Sequence, residues 1–210
     1  MTRLIITRHG ETDWNIGEVF RGRLDMELNE TGFAQAEALG HHLADFDVEA
    51  VYSSPLKRAL DTARAVAVYH GLEVNITPDL VDFNYGSWQG MSHNDVREKC
   101  SDLYQRWLTA PHTVTMPDGE SLDDVTQRAR KNVDDIVAGH EGTVVLVSHR
   151  VINKVLICSL LDLDNSHFWN IRQDVTGMTT FEYGGGQFIL TRHNDTSHLG
   201  KTLQHRLSDF

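Results

Sequence analysis

Cysteine is scarce in this 210-residue sequence, which contains only Cys100 and Cys158. Two thiols do not build a disulfide framework, so we expect the reducing environment of the cytoplasm. Long apolar runs are also missing, since stretches such as 144–147 and 155–157 are far shorter than the ~20 residues that span a bilayer. The first residues lack the basic-then-apolar pattern of a signal peptide. We therefore expect no membrane partner.

Basic residues are outnumbered: the sequence has 19 Lys and Arg against 30 Asp and Glu, a net charge of −11. This balance argues against a nucleic-acid partner. The sequence shows no composition shift, internal repeat or linker, and its length suits one domain. We therefore predict a single domain over residues 1–210, for which a homodimer is one compatible assembly. The 12 histidines include no zinc-like spacing with a cysteine or HExxH partner.

Apolar segments rich in β-branched residues alternate with segments of helical periodicity. Strands are predicted at residues 3–7, 50–53, 73–77 and 143–148, the last the most apolar and therefore central. Helices are predicted over residues 31–43, from Ser54-Pro55 to Gly71, from Ser92 to about Trp107, over 121–137 and over 151–161. Segments 178–183 and 188–191 flank three glycines, which predicts a hairpin.

This alternation predicts an α/β fold. We expect a mainly parallel central sheet with helices on both faces, a three-layer sandwich, and an antiparallel hairpin near the C-terminus. Ligands of such sheets bind beyond the carboxyl ends of the strands. Polar residues follow three of the predicted strands, so we expect them to meet at one edge: Arg8 with His9, residues 53–58, and His149 with Arg150.

The residue types at this edge suit phosphate chemistry. A neutral imidazole is a good nucleophile, and a guanidinium binds phosphate oxygens through a planar set of charged donors. Arg8 and Arg58, with the loop residues Arg21 and Arg23, can neutralise a phosphoryl group. The start of the helix after the second strand adds oriented N–H donors. Asp82 follows the third strand and can give a proton to the departing oxygen.

Seven segments carry a resemblance to a known family, and they follow that family's order along nearly the whole chain. They read "RHGETDWN", "GRLDMELNETG", "YSSPLKRALDTA", "YGSWQG", "DGES", "LVSHRVI" and "NDTSHL". With these motifs the sequence resembles the histidine phosphatase superfamily, which includes the cofactor-dependent phosphoglycerate mutases. "RHG" alone is a weak signal, whereas the combination with "SSPLKRALDTA" and a second "SH" after an apolar strand is very specific.

The resemblance implies a mechanism and a set of site residues. His9 is the expected nucleophile and becomes phosphorylated, and Asp82 occupies the position of the general acid. The phosphate is expected to be held by Arg8, Arg58 and His149, with Asn15 and Arg21 nearby. The expected substrate is a small phosphorylated metabolite, and no metal or other cofactor is implied.

Two residues depart from the family's pattern. The family usually has glutamate four residues before the glycine of "GSWQG", where this sequence has Asp82, which is one methylene shorter. It also usually has glycine after the second histidine, where Arg150 stands here and can either crowd the pocket or extend it toward an anionic substrate. Three of the candidate residues also have a purely structural alternative. Asp82 can be a turn former, and Arg21 and Arg23 can pair with acids such as Asp25.

Three functions remain open at this point. The first, which we favour, is a phosphatase that acts on a small metabolite. The second is a phosphoglycerate mutase, although mutases of this kind typically carry a long insertion between the acid and the second histidine, and residues 83–148 leave little room for it. The third is a phosphate-binding pseudoenzyme, which is disfavoured because both histidines, both core arginines and an acid are present.

Overall fold

The computed structural model describes residues 1–204, so residues 205–210 of the predicted domain lie outside the described part. Its six strands are β1 Thr2–Arg8, β2 Val48–Ser53, β3 Val74–Ile76, β4 Thr143–Ser148, β5 Met178–Gly184 and β6 Gln187–Asp195. The α-helices of the described part are α1 Asp13–Ile16, α2 Glu30–Leu43, α3 Lys57–Ala67, α4 His93–Lys99, α5 Ser101–Thr109, α6 Leu122–Ala138, α7 Arg150–Leu160 and α8 Gly200–Leu203. None of these helices is long and apolar enough to cross a membrane.

The six strands form one sheet in the order β3-β2-β4-β1-β5-β6. The first four are parallel, whereas β5 pairs antiparallel with both β1 and β6. Arg8 is in register with Ser148, and Ser53 is in register with Val147. The carboxyl ends of β1, β2 and β4 therefore lie side by side at one edge, which confirms the predicted mainly parallel sheet with a C-terminal hairpin.

Helices cover both faces of the sheet. Because successive side chains of a strand point to opposite sides, β1 contributes residues to the apolar clusters on both faces. Leu4 and Ile6 of β1 belong to one apolar cluster, together with residues of α6 and α7. Ile5 belongs to the other, together with residues of α2 and α3. All three side chains are at most 1% exposed, and burial of such a side chain stabilises the fold by about 1.5–3 kcal/mol. The predicted three-layer sandwich is confirmed.

The start of α3 differs from the predicted start at Ser54-Pro55. The helix begins at Lys57, and its N-cap, Leu56, offers no side-chain hydrogen bond. The Ser54 hydroxyl instead lies 2.7 Å from His149 Nε2, a contact made across the sheet edge. The Lys57 N–H donates to Asp25 at 2.8 Å, so this donor of the first turn is occupied. The prediction that Ser54 caps this helix was wrong because Leu56 occupies the N-cap position, while the Ser54 hydroxyl accepts from the Leu56 N–H at 3.3 Å in the turn before the helix.

The helical segment after Ser92 is two helices rather than one. Cys100 separates α4 from α5 with φ −135° and ψ 44°, which is not a helical conformation. The residues that follow, Ser101 and Asp102, suit a new helix start, because an acid in the first turn complements the helix dipole. Capping boxes at Ser92 and Ser121 start α4 and α6.

Candidate active site

The carboxyl edge of the sheet opens into a cleft that, counted with its mouth, holds about 330 Å³. His9 follows β1 directly, and Arg150 opens α7 directly after His149. The loops after α1 and β3 supply the other walls of the cleft. Its titratable lining residues are His9, Arg21, Asp82, Tyr85, His93 and Arg150. The predicted meeting of strand ends is therefore found, with His9, Arg21 and Asp82 in a single cleft.

His9 is held in one tautomer by its own loop. Its Nδ1 lies 2.7 Å from the Gly10 carbonyl oxygen. Because a carbonyl oxygen only accepts, Nδ1 must donate, which leaves the lone pair on Nε2. The ring is 1% exposed, and burial followed by the charge of Arg58 holds the pKa of His9 well below 6.5. His9 is therefore neutral, with a nucleophilic Nε2, at neutral pH.

The loop that carries His9 is packed directly on the start of α2. A Cβ on Gly10 would lie 2.4 Å from the Gly32 carbonyl oxygen, and a Cβ on Gly32 would lie 2.1 Å from that of Glu11. The Gly10 N–H donates to Thr62 of α3 at 3.1 Å. Two backbones in contact thus fix the loop against two helices. Glu11 accepts from Asn29 at 3.0 Å and braces the same loop.

His149 lies beside His9, with 5.2 Å between the ring centroids. Its Nε2 is 2.7 Å from the Ser54 hydroxyl, and its Nδ1 is 3.7 Å from Asp82 Oδ2, too far for a hydrogen bond. Nδ1 is buried and makes no hydrogen bond with the described residues. Burial first, and then the charge of Arg58, holds the pKa of His149 well below 6.5.

Two buried arginines stand behind the histidines, and backbone carbonyls orient both. Arg8 Nη1 donates to the carbonyl of Gln173 at 3.0 Å. Arg58 donates to the carbonyls of Leu24 and Gly22 at 3.0 and 2.8 Å, and to Asp82 Oδ2 at 3.0 Å. Burial lowers the pKa of Arg58, and the ion pair with Asp82 opposes that change. Both guanidinium groups are taken as charged at neutral pH, as arginine is throughout proteins.

For the loop arginines Arg21 and Arg23, both phosphate binding and pairing with acids were open. The structure places the two side chains in different environments. Arg21 is half-buried and lines the cleft. Burial and then the charge of Arg8 lower its pKa to about 9, which leaves it charged at neutral pH. Arg23 is exposed and pairs with Glu120 at 2.8 Å, while Asp25 accepts from the Lys57 backbone.

Asn15 lies outside the cleft lining. Its Oδ1 accepts from the Thr12 N–H at 2.9 Å and from the Thr12 hydroxyl at 2.8 Å, so it completes a capping box at α1. This bond fixes the loop that follows His9. A contact between Asn15 and phosphate stays a prediction.

Asp82 sits between the buried arginine and the cleft. Its Oδ2 accepts from Arg58, and its Oδ1 accepts from the Phe83 N–H at 2.8 Å. The residue is 6% exposed and lines the cleft with His9. Both carboxylate oxygens are therefore oriented by donors. The described residues contain no group of three or more His, Cys, Asp or Glu placed to hold a metal ion.

The sequence-based set of site residues missed Tyr85 and His93. Burial raises the pKa of Tyr85, and the charge of Arg150 opposes that change. His93 stacks on Phe20 with 4.1 Å between ring centroids, and burial followed by the charge of Arg150 lowers its pKa to about 4. Tyr85 is the first residue of the quoted "YGSWQG" segment, and that segment is the sequence signal that could have identified it. His93 follows a helix cap and has no comparable signal.

A buried neutral histidine beside cationic groups, at the carboxyl edge of a mainly parallel sheet, defines the class: an enzyme of phosphoryl transfer. The sequence profile of the histidine phosphatase superfamily (branch 1) matches residues 4–196, and the chain belongs to that family. The predicted resemblance is thereby confirmed.

Related proteins agree with this assignment. The chain is 35% identical over 202 residues to phosphoserine phosphatase 1 of Hydrogenobacter thermophilus, covering 96% of each chain. Bacillus stearothermophilus YhfR superposes with a TM-score of 0.90 at 34% identity, covering 95% of this chain and 100% of that one. A mutant of Entamoeba histolytica phosphoserine phosphatase in complex with phosphoserine gives 0.84 at 31% identity, covering 95% and 100%. Family and relatives support phosphomonoester hydrolysis as the activity.

Proposed function

We propose that this protein hydrolyses phosphomonoesters of small metabolites through a phosphohistidine on His9. The observation that carries the proposal is the hydrogen bond from His9 Nδ1 to the Gly10 carbonyl at 2.7 Å. It leaves a lone pair on Nε2 in a cleft where Arg21 and Arg150 supply positive charge. A nucleophile of this kind needs little more than a positioned, charge-neutralised phosphoryl group.

In the first half of the reaction, Nε2 of His9 attacks phosphorus and the bond from phosphorus to the substrate oxygen breaks. Arg8, Arg58 and His149 hold the phosphoryl oxygens, and the charge that develops on them is neutralised by the guanidinium groups. Asp82, which first takes up a proton when the monoanion of the phosphate ester binds, gives that proton to the departing oxygen, so the product leaves as an alcohol.

In the second half, water attacks the phosphorus of the phosphohistidine. Asp82, now a carboxylate, takes a proton from that water, and the bond between phosphorus and Nε2 breaks to release inorganic phosphate. One carboxyl group thus serves as acid and then as base. Its two oriented oxygens and its place in the cleft with His9 support this role.

The substrate proposal follows the relatives. Two of them are named phosphoserine phosphatases, so O-phosphoserine is the first substrate to test. The mutase alternative requires that the phosphoenzyme be protected from water, and the short segment between Asp82 and His149 argues against such cover. The cytoplasm is the proposed compartment, since both cysteines are free thiols, one buried and one half-buried. A homodimer stays a prediction.

The test is rapid-quench labelling with substrate that carries radioactive phosphate. We expect label on His9 that survives base and is lost in acid, since phosphohistidine is a phosphoramidate. His9→Ala should abolish both label and turnover, while His112→Ala, a change at an exposed histidine, should keep both. Turnover that persists in His9→Ala would contradict the mechanism. A wild-type protein that binds phosphate but cleaves no aryl phosphate would support the pseudoenzyme instead.

A further inference from the structure

The hydrogen bond between Ser54 and His149 joins two residues that are both 0% exposed, with 2.7 Å between Oγ and Nε2. Ser54 follows β2 and His149 follows β4, so the contact links two neighbouring strand ends. The Ser54 N–H also donates to the carbonyl of Val147 in β4 at 3.1 Å. The sheet therefore fixes the position of this hydroxyl relative to the imidazole ring.

The direction of this hydrogen bond follows from the other groups around the hydroxyl. A serine hydroxyl has one proton to donate and two lone pairs that accept. The Ser54 oxygen already accepts from the Leu56 N–H at 3.3 Å. Among residues 1–204, Nε2 of His149 is the acceptor that the hydroxyl proton reaches. Ser54 therefore donates to Nε2, and its bonding capacity is used in both directions.

The opposite direction is less favourable for both side chains. A proton on Nε2 would make the Ser54 hydroxyl accept twice, and its own proton would then have no acceptor among the described residues. The lone pair of Nδ1 would face Asp82 Oδ2 at 3.7 Å and be repelled by that carboxylate, whereas an Nδ1 proton is attracted to it. Because burial lowers the pKa of His149, one of its two nitrogens carries a proton at neutral pH. That nitrogen is Nδ1.

We propose that Ser54 is a positioning residue that fixes the His149 proton on Nδ1, so that the ring donates a hydrogen bond to an oxygen of the transferring phosphoryl group. The Nδ1 side of the ring faces Asp82, which lines the cleft together with His9. The rings of His9 and His149 have centroids 5.2 Å apart, so a phosphoryl group on His9 lies beside this donor. The inference rests on the proposed phosphatase function and deepens it.

The two histidines thus share one tautomer and use opposite ends of the ring. In His9 the Nδ1 proton is bonded to the Gly10 carbonyl, and the lone pair of Nε2 is the nucleophile. In His149 the lone pair of Nε2 is bonded to the Ser54 hydroxyl, and the Nδ1 proton is the donor. A lone pair at that place would repel the phosphoryl oxygens, whereas a donor stabilises the charge that develops on them.

The first test measures the tautomer itself, in the wild-type protein at neutral pH, by ¹⁵N NMR of the histidine rings. Protonated and unprotonated ring nitrogens have well-separated chemical shifts, and the signals missing from the spectrum of His149→Gln belong to His149. We expect a protonated Nδ1 and an unprotonated Nε2. A protonated Nε2 with an unprotonated Nδ1 would overturn the proposal, whatever the other variants show.

The second test removes the hydroxyl. In Ser54→Ala the Nε2–H tautomer should become populated, and kcat/KM for p-nitrophenyl phosphate should fall about ten- to a hundredfold, because full loss of one such donor costs about 10²–10³. Ser54→Thr keeps the hydroxyl and should keep the wild-type ring signals. Ser53→Ala is the matched control: it removes a neighbouring hydroxyl, also 0% exposed, that donates to the Ser54 carbonyl at 2.8 Å. It should leave the His149 signals as in wild type.

The outcomes for the two proposals are distinct. Unchanged ring signals in a folded Ser54→Ala, or the same change in Ser53→Ala, would remove Ser54 from the positioning role; if Ser54→Ala does not fold, the wild-type spectrum decides. Label on His9 together with a protonated Nε2 on His149 would refute the inference and leave the phosphatase function standing. If no ester is hydrolysed and His9 is not labelled, the proposed function fails, and with it the donor role of His149.

Discussion

Replacement of Asp82 by asparagine tests the proton donor most directly. Asparagine keeps the shape and can still accept from the Phe83 N–H, which lies 2.8 Å from Asp82 Oδ1. It cannot give a proton to an alkoxide. Loss of a positioned general acid slows a reaction about 10²–10⁴-fold, a barrier increase of about 3–5 kcal/mol at 1.36 kcal/mol per tenfold. We expect a loss of this size for alkyl phosphates such as glycerol 2-phosphate.

The assay compares kcat for an alkyl and an aryl phosphate. A phenolate leaves with little help from an acid, so p-nitrophenyl phosphate should lose only about tenfold or less in Asp82→Asn. Asp82→Glu should keep measurable activity on both substrates, because it restores the acid that the family usually has. Equal losses on the two substrates would remove Asp82 from the acid role, and Glu11 or Glu120 would be tested next.

Stability must be measured in parallel, since Asp82 also neutralises Arg58. The Arg58 side chain is 0% exposed, and removing one partner of a buried ion pair costs about 3–5 kcal/mol. Glu120→Gln is the matched control: it removes a neighbouring carboxylate that pairs with Arg23 and Arg128 at 2.8 and 3.0 Å. A large effect of Glu120→Gln on the alkyl substrate alone would make Glu120 rather than Asp82 the proton donor.

Three more predictions concern pH, metals and the acceptor. Because His9 and His149 have lowered pKa values in the fold, their contribution to stability is present above pH 6.5 and is lost as pH falls below it. The acid limb of kcat/KM should accordingly lie below 6.5, and a midpoint at or above 6.5 would contradict the neutral nucleophile. Prolonged treatment with a chelator should leave turnover unchanged, and restoration by a divalent ion would refute this. With 3-phosphoglycerate and a trace of the 2,3-bisphosphate, phosphate release should exceed isomerisation, and the opposite result would assign a mutase.

The layered fold could be read from local patterns because its core is periodic. Every residue of β4 is buried, as expected for a strand between two layers of helices. The start of α3 could not be read in this way. Ser54 has the residue type of a cap, and its hydroxyl accepts from the Leu56 N–H at 3.3 Å, but the helix begins only at Lys57. The same hydroxyl also contacts His149, 95 positions away in sequence, which a local pattern does not encode.

The site was predictable where a chemically distinctive side chain follows a strand, as with His9 and His149. It was not predictable where backbone carbonyls do the positioning: those of Gln173 and Gly22 accept from Arg8 and Arg58. Side-chain patterns do not encode such bonds, because every residue has a carbonyl. The roles of the individual site residues stay predictions, and so does the single domain over residues 1–210.

The hydrogen bond between His9 and Gly10 bears on the lability of the intermediate. In the proposed phosphoenzyme, Nδ1 keeps its proton against the carbonyl after Nε2 has bonded to phosphorus, so the phosphorylated ring is an imidazolium. Its positive charge lies beside the negative phosphoryl oxygens. When water displaces the ring, it departs as neutral imidazole rather than as the far more basic imidazolate. In this mechanism one backbone oxygen would fix both which nitrogen carries phosphorus and how readily that bond is broken.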